Sequence, residues 1–168
     1  GVTTIHVTHD FEEAITLGHR IAVMMGGHII QIGTPDQIFR HPNSELVARF
    51  VMTRNILDGE VIDSFDGQNV FCTGGVKLAV DTTLRGQRHA SIRPENILIS
   101  REPLKSEAVN SLPATITRIS DRGAIVYVAV NVPPEFTCLI LHSSLEEAGL
   151  EEGQKVFITF KVSAVNVF

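Results

Sequence analysis

The sequence predicts an α+β chain, in which a short α/β segment over residues 1–54 precedes a mostly β, small-barrel segment over residues 55–168. Hydrophobic patterning is the first reason. The early segment mixes strand-sized apolar runs with helical spacing, whereas beyond Asn55 short runs punctuated by Gly, Pro, Asn and Asp take over. Composition shifts at the same place: residues 1–54 hold five of the seven histidines and four Arg against five acids, and residues 55–168 hold ten bases against fourteen acids. Size is the third reason. A chain of 168 residues, 43% hydrophobic and 20% charged, can bury a core as one domain or two small ones.

The first element expected is a buried strand over residues 2–8, Val-Thr-Thr-Ile-His-Val-Thr. A chain that opens at Gly1, without methionine or a secretory leader, directly on a core strand reads as part of a longer polypeptide. A helix follows from Phe11, with Phe11, Ala14, Ile15 and Gly18 on one face, Asp10 as cap, and acids in the first turn that suit its positive end. The runs at 20–25 and 28–32, joined by Gly26-Gly27, predict a β-hairpin. Thr34 as N-cap and Pro35 at the first helical position start another helix, which Pro42 stops. Residues 43–52 then show helical spacing through Leu46, Val47 and Phe50. The later segment carries strand candidates at 57–63, 69–72, 76–80, 89–92, 97–100, 114–120, 124–131, 136–142 and 155–162, which suggest a small barrel. One helical turn interrupts them at 143–148, with Ser143 and Glu146 as a capping box. Residues 101–110 read as a linker, and no internal repeat stands out in the sequence.

Several function classes are excluded early. A net charge of −5, a pI near 5.8 and the lack of a basic block argue against a dedicated nucleic-acid binder. No apolar run reaches the roughly 18 residues of a bilayer span. Cys72 and Cys138 make neither a disulfide framework nor a CxxC metal site and are expected to be buried bystanders. His6 and His9 are three apart and point to opposite faces of a strand, so they do not suggest a metal pair.

His9 is the first candidate site residue. It lies between the expected strand and helix, and open α/β sheets place ligand groups at the carboxyl ends of strands. A histidine there can donate to a phosphate oxygen or polarise a water, or it can simply cap the helix or face solvent. The surrounding string, His6-Val7-Thr8-His9-Asp10-Phe11-Glu12-Glu13-Ala14, then Arg20-Ile21-Ala22-Val23-Met24, then Gly27-His28-Ile29-Ile30-Gln31-Ile32-Gly33-Thr34-Pro35, resembles the end of an ABC-transporter ATPase domain. The resemblance implies that His9 is the switch histidine, which meets the γ-phosphate of ATP and the attacking water. It also implies ATP and Mg²⁺ as cofactors of the full-length family. The sequence has no G-x-x-x-x-G-K-[ST] phosphate loop, no LSGGQ-like signature and no Mg²⁺-binding strand. Phosphoryl transfer needs those parts together, so these residues alone are not expected to hydrolyse ATP, and no cofactor is expected for them. The apolar strands of residues 1–54 would pack on elements outside this sequence, which predicts exposed hydrophobic surface and self-association.

The later segment resembles the regulatory extension of importer ATPases. His89-Ala90-Ser91-Ile92-Arg93-Pro94-Glu95-Asn96-Ile97 is similar to the SIRPE motif of a TOBE domain, an OB-like barrel. Arg93 and Glu95 are read either as an ion pair at a domain or subunit interface or as a pair that shapes the turn around Pro94. Residues 112–116, 123–126, 144–153 and 160–167 resemble a molybdate/tungstate-binding Mop module. By that resemblance Lys161 and Ser163, read as lying on one side of a strand end, are oxyanion donors. The Ser-Ala-Arg-Asn stretch of such modules appears here as Glu107-Ala108-Val109-Asn110, which lacks the guanidinium and adds a carboxylate. The resemblance implies a cytoplasmic subunit, peripheral to the membrane, that works with a permease subunit and a second ATPase subunit as a homodimer. It implies import of molybdate, tungstate or a related anion, with oxyanion-dependent inhibition through the barrel. The alternatives are a dimerisation module without ligand and a stand-alone oxyanion-binding protein.

Overall fold

The computed structural model describes residues 2–51, 55–63, 69–104, 106 and 109–168. The chain separates into two compact units, Gly1–Met52 and Thr53–Phe168.

The first unit runs α1 (Phe11–Leu17), β1 (Ile21–Met25), β2 (His28–Gly33), α2 (Pro35–Arg40) and α3 (Glu45–Phe50). Asp10 opens α1: its Oδ1 accepts the Glu13 N–H at 3.2 Å and its carbonyl accepts the Ala14 N–H at 3.1 Å. β1 and β2 form an antiparallel hairpin whose turn residues Gly26 and Gly27 take φ of 57° and 80°, a region that favours glycine. Thr34 and Gln37 close a capping box at α2, with bonds of 3.3 Å and 2.9 Å. Gln31 then ties the unit together. Its Nε2 donates to the Gln37 and His41 carbonyls, and its Oε1 accepts the Asn43 N–H.

Two expectations for this unit change. Residues 2–8 form no strand, and Val2, Ile5 and Val7 are 94%, 91% and 91% exposed. A strand needs a neighbour for its N–H and C=O groups, and the sheet described in this unit is only the β1–β2 pair. The face of α3 differs as well. Val47, Ala48 and Val51 are buried, while Leu46 and Phe50 are exposed, because the small core is built from Val23, Ile38, Val47 and Val51. Phe50 instead meets the edge of Phe11, which also contacts Phe39. The expected end of this helix at Met52 and the boundary residue Arg54 lie outside the described residues.

The second unit contains β3 (Asn55–Asp63), β4 (Asn69–Thr73), β5 (Val76–Val80), β6 (Gly86–Ile92), a 3₁₀ turn (Pro94–Asn96) and β7 (Leu98–Ser100). It continues with β8 (Val109–Asp121), β9 (Ile125–Asn131), β10 (Glu135–Leu141), α4 (His142–Ala148), β11 (Lys155–Lys161), a second 3₁₀ turn (Val162–Ala164) and β12 (Asn166–Val167). The strands make two antiparallel sheets, ordered β12-β6-β3-β4-β5 and β10-β9-β8-β11-β7. One core is drawn from both, with Phe71, Leu78 and Ile92 from the first and Ile116, Phe136, Ile158 and Phe160 from the second.

Topology reveals a repeat that the residue pattern hides. Each half runs long strand, hairpin strand, hairpin strand, return strand, 3₁₀ turn, short strand, with the same antiparallel pairings; in the second half α4 is inserted before the return strand. The halves exchange their last strands: β7 pairs with β11 of the second repeat, and β12 pairs with β6 of the first. The two hairpin tips abut, since a Cβ on Gly74 would lie 2.5 Å from Pro134 Cδ.

Two smaller expectations are corrected here. The stretch read as a linker ends earlier, because β8 already begins at Val109. No side chain caps α4, which starts at His142 directly off β10, so Ser143 falls inside the helix rather than at its cap.

Candidate functional site

His9 sits at an exposed bend between residues 2–8 and α1. The turn around it is local: Thr8 Oγ1 accepts the Asp10 N–H at 3.0 Å and donates to Glu13 Oε2 at 2.6 Å. That Thr8 bond, with His6 Nε2 at 3.4 Å, holds the Glu13 carboxyl below its usual range. The hydrogen bonds given for this bend run among His6, Thr8, Asp10, Glu13 and Ala14.

The other four candidates fall on the two equivalent 3₁₀ turns. Arg93 precedes the first turn with φ −75° and ψ 138°, and Lys161 precedes the second with φ −66° and ψ 146°. In each turn the N–H three residues on closes back: Ile97 donates to the Pro94 carbonyl and Val165 to the Val162 carbonyl. Both Ile97 and Val165 are buried in the core. Glu95 and Ser163 therefore hold corresponding places, and Arg93 corresponds to Lys161. This equivalence was invisible in the sequence because only the buried positions of the two turns keep their chemical character.

The contents of the turns differ. Arg93 Nη1 lies 3.1 Å from Glu95 Oε1, so the first turn carries its own neutralising carboxylate. Lys161 and Ser163 are both exposed. Ser163 lies in the 3₁₀ turn rather than on β11, so the expected strand alternation does not set its direction; the turn does. Opposite Lys161 in the sheet stands Val109. Glu107 and Ala108 of the motif comparison lie outside the described residues. Asn110, the motif's remaining polar member, is 6% exposed and fully engaged: Oδ1 accepts the Ala79 N–H at 2.7 Å and Nδ2 donates to the Ala79 carbonyl at 3.0 Å.

A cleft of about 580 Å³ opens between the first turn with β7 and β10 with α4. Its walls include Ile97, Leu98, Ile99 and Leu139, with Glu95 and Glu147 also lining it. Glu147 and the Arg93-paired Glu95 are thus the charged groups on its wall.

Residues 106–167 match the family model of the TOBE domain. The chain carries a TOBE domain. The match runs through β8 to β12, which is the second repeat with its exchanged strand. Over 169 aligned positions the whole chain is 38% identical to the molybdate/tungstate import ATP-binding protein WtpC of Pyrococcus abyssi, covering 48% of that relative. It is 35% identical to the sulfate/thiosulfate import ATP-binding protein CysA 2 of Chromobacterium violaceum over 147 positions, 86% of this chain and 38% of that one. The chain thus spans about half, or less, of the length of these relatives. A solved structure of the cytoplasmic molybdate-binding protein ModG, with molybdate bound, superposes with a TM-score of 0.62 at 21% identity, covering 69% of this chain and 96% of that one. That likeness establishes the mostly β, OB-like fold of the TOBE-bearing unit. No helix among the described residues is long and apolar enough to cross a membrane.

Proposed function

We propose that this chain is the C-terminal region of the ATP-binding subunit of an ABC importer for molybdate or tungstate, with its second unit serving as the regulatory barrel. The observation that carries the reading is the 38% identity to a molybdate/tungstate import ATP-binding protein along the entire chain. In the whole protein ATP would supply the free energy of phosphoryl transfer and Mg²⁺ would offset the phosphate charge. The part played by these residues is narrower: His9, at an exposed bend after Thr8, presents an imidazole to a phosphate held by other elements. The partners are a permease subunit and a second ATP-binding subunit, in a homodimer at the cytoplasmic face of the membrane.

The barrel reads oxyanion through the Lys161–Ser163 turn. A tetrahedral dianion accepts hydrogen bonds only, and an ammonium and a hydroxyl two residues apart on a turn are donors of that kind. If the oxyanion binds the resting arrangement of the dimer more tightly, linkage makes it an inhibitor of import.

Calorimetric titration of the chain with molybdate, tungstate and sulfate tests this. Molybdate or tungstate should bind, and Lys161→Ala should weaken binding roughly tenfold or more, the size of one charge-assisted contact. Absence of heat with all three anions would overturn it. Val109 opposite Lys161 and the engagement of Asn110 favour one competing reading, a dimerisation barrel without ligand. That reading expects no heat from any anion together with a dimer in analytical ultracentrifugation.

A further inference from the structure

We propose that Asn55 and Asn110 are the positioning residues of the two 3₁₀ turns, each working through the backbone of the other repeat. The two asparagines hold equivalent places at the start of the long strands. Asn55 pairs in the sheet with Ile92, the residue before Arg93, and Asn110 pairs with Phe160, the residue before Lys161. Both are buried, at 3% and 6% exposure.

Each side chain then grips one residue on the outer strand of the opposite repeat. Asn55 Oδ1 accepts the Thr137 N–H at 2.6 Å and its Nδ2 donates to the Thr137 carbonyl at 2.8 Å. Asn110 does the same to Ala79, at 2.7 Å and 3.0 Å. The gripped strands β10 and β5 each lie at one edge of their sheet, where outward N–H and C=O groups would otherwise lack a neighbouring strand. The same two strands pack on the turns: β10 against Pro94–Asn96, and β5 against Val162–Ala164. Each asparagine thereby joins its own long strand, its own turn and the edge strand that packs on that turn. Asn55 Nδ2 donates in addition to the Ile92 carbonyl, at the entrance to the first turn.

The chemistry selects asparagine. A primary amide is the shortest side chain that offers a donor and an acceptor side by side, the pattern needed to mimic a passing strand. Aspartate would accept from the edge N–H but turn a carboxylate oxygen against the edge carbonyl. Glutamine would be one methylene too long for the same buried space. The arrangement concerns the geometry of the turns and holds whether or not the Lys161 turn takes an oxyanion.

Amide hydrogen exchange, followed by NMR on the whole chain without added anion, tests the assignment. In the unaltered protein the Thr137 and Ala79 amides should exchange about tenfold or more slowly than those of Leu139 and Lys77, two residues away on the same edges. Asn110→Ala should speed Ala79 exchange about tenfold while leaving Thr137 at its original rate; Asn55→Ala should do the reverse. Lys161→Ala should change neither rate. Equal rates along each edge in the unaltered protein would overturn the proposal, and this comparison decides even if a variant fails to fold. Acceleration confined to the substituted repeat would overturn it equally.

Discussion

Cys138 and Cys72 show how burial divides residues of one kind. Both were expected to be buried bystanders; Cys138 is fully buried in β10, whereas Cys72 on β4 is only half-buried. Loss of solvent pushes the Cys138 thiol up from 9.0 to about 12. Below pH 9 the thiol is protonated in both folded and unfolded chains and contributes nothing to pH dependence. Between about 9 and 12 the unfolded chain has released a proton that the folded chain keeps, so stability falls as pH rises through that window. The slope should be at most about 1.4 kcal/mol per pH unit, and Cys138→Ala should remove it in urea melts recorded on both sides of pH 9. At this scale the sequence was an uneven guide. Arg93 and Glu95 were legible as a pair, because a turn with Pro94 between them leaves them side by side. Asn110 was legible only as a motif remnant, since its real partner, Ala79, is thirty-one residues away.

Among the elements, the hairpins and caps follow from local chemistry. Gly26-Gly27 and Thr34-Pro35 dictate a turn and a helix start wherever they occur, and both form as expected. Gly74 belongs to a different class, because its φ of 53° and its neighbours both exclude a side chain. A Cβ there would meet Pro134 Cδ at 2.5 Å, on the tip of the other repeat's hairpin. Gly74→Ala should therefore destabilise the chain by about 1–3 kcal/mol, read from the urea midpoint. Gly75→Ala, at a φ of 89° but with open space, separates the backbone cost from the clash and should be the milder change. Equal losses for the two would count against a contact between the tips. Residues 2–8 failed as a strand for the reason that Gly74 matters: strand pairing and tip packing depend on what lies across from a residue, which local pattern does not encode.

For the whole molecule, the two units differ in how completely they bury themselves. The second unit encloses a core with Phe71, Phe136 and Phe160 essentially inaccessible. Among the described residues, the first unit's core cluster is Val23, Ile38, Val47 and Val51, and the unit exposes Val2, Ile5, Val7, Leu17, Met24 and Ile29. Exposed apolar side chains on this scale should drive concentration-dependent self-association. Size-exclusion chromatography coupled to light scattering should show mass rising with loading concentration, and Ile5→Asp with Val7→Asp should reduce the rise. A monomer unaffected by concentration would contradict the expectation.

Residue order alone established the class of the longer strands and helices from Phe11 onward, the change of character near residue 55 and the family resemblance that the TOBE match supports; the two 3₁₀ turns and β12 were not among its expectations. Those features are carried by period, turn chemistry and contiguous motifs, all of them local in the chain. Tertiary structure decided the rest: the doubled topology, the exchange of β7 and β12, the equivalence of the Arg93 and Lys161 turns, and the grip of Asn55 and Asn110 on the opposite edges. A repeat held by sheet pairing and buried backbone contacts can keep its shape while its surface residues diverge. The matching strand pairings rest on hydrogen bonds between main-chain groups, which carry no residue identity for a sequence to display.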